Sequence, residues 1–435
     1  MNDQFGVTFS TQSPTLLSLG AVEIFSLQQG TWYWQVPLGT SARALVVDCQ
    51  YVCCVDRDTA TALYRVQMLN VIQRQVEWTI ALSTSLKVFP VAANMDTVYI
   101  AEEQSDGIVL YALDKMTGSE RWHTTLLNAR ISTIMGQWLP SVQLLGEVLI
   151  IQVAHEDTAG DNEFVALDQH IGDERWRLTR PATMSQPYSV TSSILVTTLH
   201  PRAADQHSEV LAVDGNSGNL IWSQVLNANY SSISSPTISA SRCYFGVFSQ
   251  AKEVGSLLCL DSGTGEFLWQ TVIDAAIPTT PVIDHHHHLY IGARREPFLR
   301  SVTKIDGAYG RIQWRVAQVP PPLPPVPIGQ IVLIGADTYM RNDPDLGQCV
   351  ALNSYSGTLA WSITPLTYLQ LTDPPRIASS GPGYHFAAMP KLDTTGQMII
   401  CASSLHDLLA LDVTTGTKHW QLHTDAAIRW YELLQ

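Results

Sequence analysis

Few residues in this sequence have a type and spacing that could do chemistry, and each such group also has a plain structural use. Cys53 and Cys54 are adjacent in the apolar segment YVCCVD. In a strand, neighbouring side chains point to opposite faces, so the pair reads as two thiols, one in each packing layer. The run His285 to His288 could chelate a transition metal if several imidazoles reached one ion. It falls in the turn between two strand-like segments, which makes it a solvated turn. Asn342, Asp343 and Asp345 offer oxygen ligands for calcium, but the later bidentate glutamate of an EF-hand is missing. Pro320, Pro321, Pro322, Pro324 and Pro325 form a polyproline-II-like run that an aromatic groove could recognise. The run equally suits a crossing between strands, where no ladder hydrogen bonds are needed. No Ser-His-Asp, phosphate-loop, paired zinc-ligand or dinucleotide motif stands in a confirming context. The sequence therefore assigns no catalytic, cofactor-binding or metal-binding residue, and no cofactor.

The bulk composition narrows the partners. Of 435 residues, 46% are hydrophobic and only 15% charged, enough apolar material for an extended core. Asp and Glu outnumber Lys and Arg by 39 to 25, a formal charge of −14. Such a field repels phosphate backbones, and no basic run with interleaved aromatics offsets it, so no nucleic-acid partner is expected. No apolar stretch reaches the roughly 18 residues that a membrane span needs, so no membrane insertion is expected. Seven scattered cysteines, mostly inside apolar segments, read as buried thiols in a reducing compartment. With no secretory pattern in Met1 to Gly20, the expected location is cytoplasmic.

The elements that must position any site come from an internal repeat. Nine of the twelve tryptophans end one recurring pattern: an apolar pair, Asp or Asn, three residues, Gly, three residues, Trp. Clear copies are YALDKMTGSERW at Trp122, VALDQHIGDERW at Trp176, LAVDGNSGNLIW at Trp222, LCLDSGTGEFLW at Trp269 and LALDVTTGTKHW at Trp420. TKIDGAYGRIQW at Trp314 and VALNSYSGTLAW at Trp361 are good copies. In MLNVIQRQVEW at Trp78 the glycine is replaced by Arg74, and in FSLQQGTWYW at Trp34 the acid is replaced by Ser26. Successive tryptophans lie 44, 44, 54, 46, 47, 45, 47 and 59 residues apart, the length of a four-stranded propeller blade. We name the strands of a blade A to D outwards. The acid should accept hydrogen bonds from the amides of the C to D turn, and the glycine should supply its positive φ. The tryptophan on strand D should fill the wedge to the next blade, its indole N–H bonded to backbone.

This pattern resembles the Trp-docking blades of the pyrroloquinoline-quinone-like propeller superfamily, from about Ile24 to Trp420. The resemblance implies an all-β fold: a single closed β-propeller domain over 1–435, of four-stranded antiparallel blades, most often eight, with nine possible. An extra hairpin near 20–37 and a C-terminal strand near 428–434 would meet to close it, which removes exposed strand edges. The superfamily contains quinoprotein dehydrogenases and non-enzymatic scaffolds of the BamB type. The enzymes carry a vicinal disulfide against their quinone, which is what Cys53 and Cys54 would have to form. Their calcium-binding Glu and Asn, their Asp base and their long insertions have no counterpart here, and a quinone without calcium lacks its Lewis acid. The resemblance thus points to the non-enzymatic branch.

Function is expected where the repeat is broken. The B to C and D to A connections emerge on one side of a blade, the A to B and C to D turns on the other. The C to D turns are short and alike, whereas His155 to Glu163, His200 to Glu209, Arg294 to Arg300 and Thr338 to Leu346 are long and varied, and the segments Ala129 to Leu139 and Thr367 to Tyr384 lie on the same side. Long loops on a rigid frame are where recognition usually lives. The expected function is a scaffold that binds another protein there, with Trp138, Arg294, Arg295 and Arg341 available to contact it. The alternatives are a quinone-dependent or other oxidoreductase, and a small molecule or glycan bound in a central channel.

Overall fold

The computed structural model describes residues 5–11, 19–82, 87–131, 142–155, 162–180, 183–184, 188–189, 193–200, 207–226, 230, 232–249, 251–274, 277–295, 299–317, 325–335, 349–363, 391–393, 395–402, 407–423 and 427–434. Every regular element among them is a β-strand. Short β-branched runs alternate with turn residues along the whole chain, so a meander of antiparallel strands is the local solution.

The strands form eight antiparallel sheets, the blades of an all-β propeller. Seven of the eight hold one meander each. The Trp314 blade runs from Ile277–Pro278 and Val282–Ile283, a strand A in two pieces, through His288–Arg295 and Leu299–Asp306 to Ile312–Ala317, strands B to D. The remaining sheet has seven strands. Its order is Ala427–Leu434, Phe5–Thr11, Leu19–Ser26, Thr31–Val46, Tyr51–Arg57, Tyr64–Asn70, Gln75–Leu82. The 16-residue strand Thr31–Val46 belongs to two meanders. Its first part, through Thr40, pairs with Leu19–Ser26 as a D strand, and from Thr40 on it pairs with Tyr51–Arg57 as an A strand. Eight sheets thereby accommodate all nine tryptophan units. The C-terminal strand pairs antiparallel with Phe5–Thr11, Phe5 opposite Leu434. The C-terminal strand and the hairpin near 20–37 therefore share one sheet, with Phe5–Thr11 standing between them.

The chain divides into two compact units, one of Met1–Thr179, Ser380–Asp412 and Thr417–Gln435, the other of Arg180–Ser379 and Val413–Gly416. Within each, the core lies between neighbouring blades. In the first unit, Val52, Cys54, Leu69 and Val71 pack with Val22, Ile24 and Leu38 of the other meander of the seven-stranded sheet. The other face of the same sheet puts Cys53, Val66 and Met68 with Trp78 against Val88, Val98 and Ile100 of the next. In the second unit, Val210, Ala212 and Trp222 pack with Cys243, Phe245 and Leu258.

Candidate functional site

The C to D turns are built by one mechanism, which determines what each side of a blade can offer. Asp114 Oδ1 accepts the amides of Met116 and Thr117 and the Thr117 hydroxyl, while Arg121 donates to Oδ2 at 2.7 Å. The Arg121 guanidinium, the Thr117 hydroxyl and these amides hold the Asp114 carboxyl down at about 2. Asp168, Asp214, Asp261 and Asp306 accept the same pair of amides, and Asn353 does so with its amide oxygen. Ser26, the replacement in the first copy, still accepts the Gln29 amide with its hydroxyl at 3.2 Å.

Six of the tryptophans donate to the following turn. Trp78 donates to the Lys115 carbonyl at 2.8 Å, Trp122 to Gln169 at 2.9 Å, Trp222 to Ser262 at 2.8 Å and Trp361 to Val413 at 2.9 Å. Trp314 donates to Ser354 at 3.1 Å and Trp420 to Leu27 at 2.8 Å. The acceptor is always the residue after the turn's Asp, Asn or Ser. Five of the nine indoles are buried and none of the other four is exposed. The glycine has a second task that local sequence does not reveal: the preceding blade's indole lies against it. A Cβ on Gly265 would stand 2.6 Å from a Trp222 ring carbon, and one on Gly118 would stand 2.7 Å from Trp78. Arg74, where the glycine is missing, nonetheless adopts φ 55°, and its guanidinium stacks 3.6 Å over the Tyr33 ring.

One indole departs from the expectation. The Trp269 N–H is buried without a hydrogen-bond partner. The carbonyl it would use, Gly307, is taken by Arg242 at 2.7 Å and the Tyr244 hydroxyl at 3.1 Å. Tyr244 exemplifies a docking residue that the motif does not include, a tyrosine on strand B packed against its own blade's tryptophan. Tyr99 with Trp122, Tyr244 with Trp269 and Tyr290 with Trp314 have ring centroids about 6 Å apart, 5.9, 5.9 and 6.0 Å. The segments TVYIA, RCYFG and HLYIG carry the signal, a tyrosine inside each B strand.

The chemistry-bearing groups behave as structure. Cys53 and Cys54 are free, fully buried thiols on opposite faces of Tyr51–Arg57, in different clusters. Burial raises the Cys53 thiol to about 12 and the Cys54 thiol well above its ordinary value. They do not form the disulfide platform that a quinone site of this superfamily would need. The histidine run is the A to B turn: Asp284 accepts the amides of His286 and His288 at 2.8 and 2.9 Å, and the His288 ring at 3.2 Å. Among the described residues no three His, Cys, Asp or Glu side chains group to hold a metal. Asn342, Asp343, Asp345 and the prolines from Pro320 to Pro324 lie outside the described residues.

Of the four interaction candidates, Trp138 and Arg341 also lie outside the described residues. Arg294 and Arg295 are not in a loop: they end strand His288–Arg295, paired with Arg300 and Leu299. The ladder runs two residues further than the arginine pair suggested, and the connection itself is 296–298. The opposite side is less uniform than its motif. Met95 is 92% exposed in an A to B turn, and Ile72, Met116, Ile171, Tyr309 and Tyr355 are exposed at C to D turns. Lys115 there is engaged, paired to Asp48 at 2.7 Å.

Meander blades docked by an Asp–Gly–Trp turn define a pyrroloquinoline-quinone-like β-propeller. The sequence matches the family described as "Outer membrane protein assembly factor BamB" over residues 18–242 and 206–367, and the chain belongs to that family. Among solved structures it is similar to "the eukaryotic initiation factor", at 7% identity and TM-score 0.65, covering 100% of this chain and 98% of that one. It is similar also to "Dihydro-heme d1 dehydrogenase NirN", at 12% identity and TM-score 0.51, covering 99% and 75%. BamB from Moraxella catarrhalis matches at 15% identity and TM-score 0.47, covering 86% and 94%. At these identities the likeness is one of fold. Among curated protein sequences none matches the chain.

Proposed function

We propose that this chain is a non-catalytic scaffold that binds another protein through the B to C and D to A side of its blades. One observation carries the reading. The described strands C and D are separated in sequence by four or five residues in every unit, whereas strands B and C are separated by as few as three, between Glu103 and Gly107, and as many as thirteen, between Gly335 and Cys349. Conserving one turn geometry while varying the other side concentrates blade-specific surface on the varied side. The C to D turns are also engaged internally, since their acids hold the turn itself and their glycines and carbonyls receive the preceding blade's tryptophan. The family's description as an assembly factor supports protein binding in general. Buried free thiols support a reducing, cytoplasmic setting.

The test is co-purification from the native host followed by charge reversal at Arg294 and Arg295, with Trp138→Ala and Arg341→Glu beside it. Loss of the partner is expected from these variants and not from Thr415→Lys in a C to D turn. Lys115 is unsuited as a control because of its pair with Asp48. A second reading rests on the exposed Met95, Met116, Ile72 and Ile171 of the first unit. If serine at Met95 and Met116 abolishes binding while the arginine reversals do not, the recognition side is the opposite one. Quinone-dependent dye reduction by the reconstituted chain would refute the non-catalytic part.

A further inference from the structure

The outer strands of the blades differ in a way that the docking motif does not explain. A propeller's D strand has one unpaired edge, and such edges invite the addition of a further strand unless charges guard them. Glu120–Leu127 is guarded by Glu120, Arg121 and His123 around its tryptophan, and Glu174–Arg180 by Glu174, Arg175 and Arg177. The equivalent positions of Phe267–Asp274 are Phe267, Leu268 and Gln270, and this strand ends its sheet. Phe267 is 57% exposed, Leu268 42% and Val272 57%.

Beside this unguarded edge lies an open cleft of about 280 Å³, lined by Tyr230, Ser249, Lys252, Val254, Ser256, Gln270 and Val272. Strand alternation explains the lining. Trp269 and Thr271 turn to the next blade, where Thr271 donates to the Gly310 carbonyl. Gln270 and Val272 therefore face the other way, Val272 directly opposite Ser256. Ser249 and Val254 face each other at the end of the same sheet, and Lys252 sits in the B to C turn between them. Tyr230 comes from the D to A connection and accepts a hydrogen bond from Gln270 at 3.2 Å. One ammonium, three hydroxyls and a carboxamide thus meet two valines, with no carboxylate in the lining of a chain whose formal charge is −14.

We propose that the edge of Phe267–Asp274 takes an extended segment of a partner protein as an added strand, with a carboxylate of that segment seated in the Lys252 cleft. Main-chain hydrogen bonds along the edge would provide affinity, and the cleft would select an acidic side chain. The inference rests on the preceding reading, because Lys252 and Tyr230 belong to B to C and D to A connections, and it names the chemistry of what binds there.

The experiment uses the full chain and three fluorescein-labelled heptapeptides of alternating threonine and valine, carrying aspartate, asparagine or lysine at the centre, followed by anisotropy. Saturable binding of the aspartate peptide is expected, with asparagine and lysine weaker by about tenfold or more. Lys252→Glu, in an exposed turn, should weaken the aspartate peptide by a similar factor and restore binding of the lysine peptide. Phe267→Glu with Leu268→Arg, which installs the guard of Glu120–Leu127 and Glu174–Arg180, should lower the affinity of all three peptides. Circular dichroism checks that the variants fold. Absence of saturable binding to the wild-type chain, or binding indifferent to Lys252→Glu, overturns the proposal. Neither result touches the wider reading of the side, which the native partner's response to the Arg294 and Arg295 reversals tests separately.

Discussion

If the turn glycine is required by its neighbour's indole as well as by its own backbone, two glycines of the same φ should tolerate alanine differently. Gly265 has φ +73° and Gly396 has φ +71°. At Gly396 an added Cβ meets nothing within 4 Å, so alanine there costs only the left-handed backbone penalty, about 1–2 kcal/mol. At Gly265 the same Cβ would stand 2.6, 2.7 and 2.9 Å from ring atoms of Trp222. Carbon atoms rest at roughly 3.5–4.0 Å, so the indole must retreat by about 1 Å. It is held by its bond to the Ser262 carbonyl and is only 7% exposed. Overpacking of this kind adds about 1–3 kcal/mol, which puts Gly265→Ala at about 2–5 kcal/mol. Trp222→Ala should cost about 3–5 kcal/mol by leaving a cavity. Once the indole is gone, Gly265→Ala should fall back to the backbone penalty, leaving a coupling of about 1–3 kcal/mol in the double-mutant cycle. Urea midpoints give the global figure. Hydrogen exchange at Gly265, whose amide donates to the Asp261 carbonyl, gives the local one, which matters because a chain of this length need not unfold in one step. Equal costs at the two glycines, or strictly additive mutants, would refute the reasoning.

The thiols supply a further check: a brief iodoacetamide pulse on the native protein, read by mass spectrometry, should label the exposed Cys49 and spare Cys53, Cys54, Cys243 and Cys259. Because burial lifts the folded Cys53 thiol to about 12, the unfolded chain releases this proton first as pH rises from about 9. Stability should therefore fall between about pH 9 and 12, and Cys53→Ala should flatten the slope by up to about 1.4 kcal/mol per pH unit in denaturant titrations. Asp114→Asn keeps the acceptor for the turn amides, as Asn353 does natively, and should cost under about 1 kcal/mol in thermal melts, whereas Asp114→Ala should cost about 1–3 kcal/mol by orphaning them. Since Asp114 is held down to about 2, its contribution is present above the ordinary carboxylate range and lost as pH falls towards 2. Arg74→Gly relieves a left-handed non-glycine residue but removes the stack on Tyr33, so chemical denaturation should show a net change within about 1 kcal/mol.

The fold was legible because its signal is local. Asp, Gly and Trp fall within nine residues, one hairpin's length, so each copy can be read without knowing what it packs against. The gaps have the same cause in reverse. Tyr99 and Trp122 are partners across an intervening strand, so the strand B tyrosine lies too far from the motif to be read as part of it. Gly265 meets Trp222 of the preceding unit, which hides the steric half of its role. FGVTFST has no tryptophan copy, and its place as strand B of the closing meander follows only from its two partners, Leu19–Ser26 and Ala427–Leu434.

The candidate site was far less legible, for a reason that belongs to repeat proteins in general. Reading by period finds what every blade must share, and specificity resides in what one blade does not share. The long B to C connections could be found as interruptions of the period, yet nothing in their composition says which side chains meet. The cleft at Lys252 shows the difficulty. Its lining comes from a turn, three strands and a crossing, spread from Tyr230 to Val272, and on the strand that borders it Leu268 and Gln270 stand where two other blades carry arginine, or arginine and histidine. That contrast is visible in aligned copies of the repeat, as LWQ against RWR and RWH, but it acquires meaning only once the strand is known to be an edge. The informative comparison in such a chain is therefore between copies at one structural position: residues that agree report packing, and residues that depart report what that blade does alone.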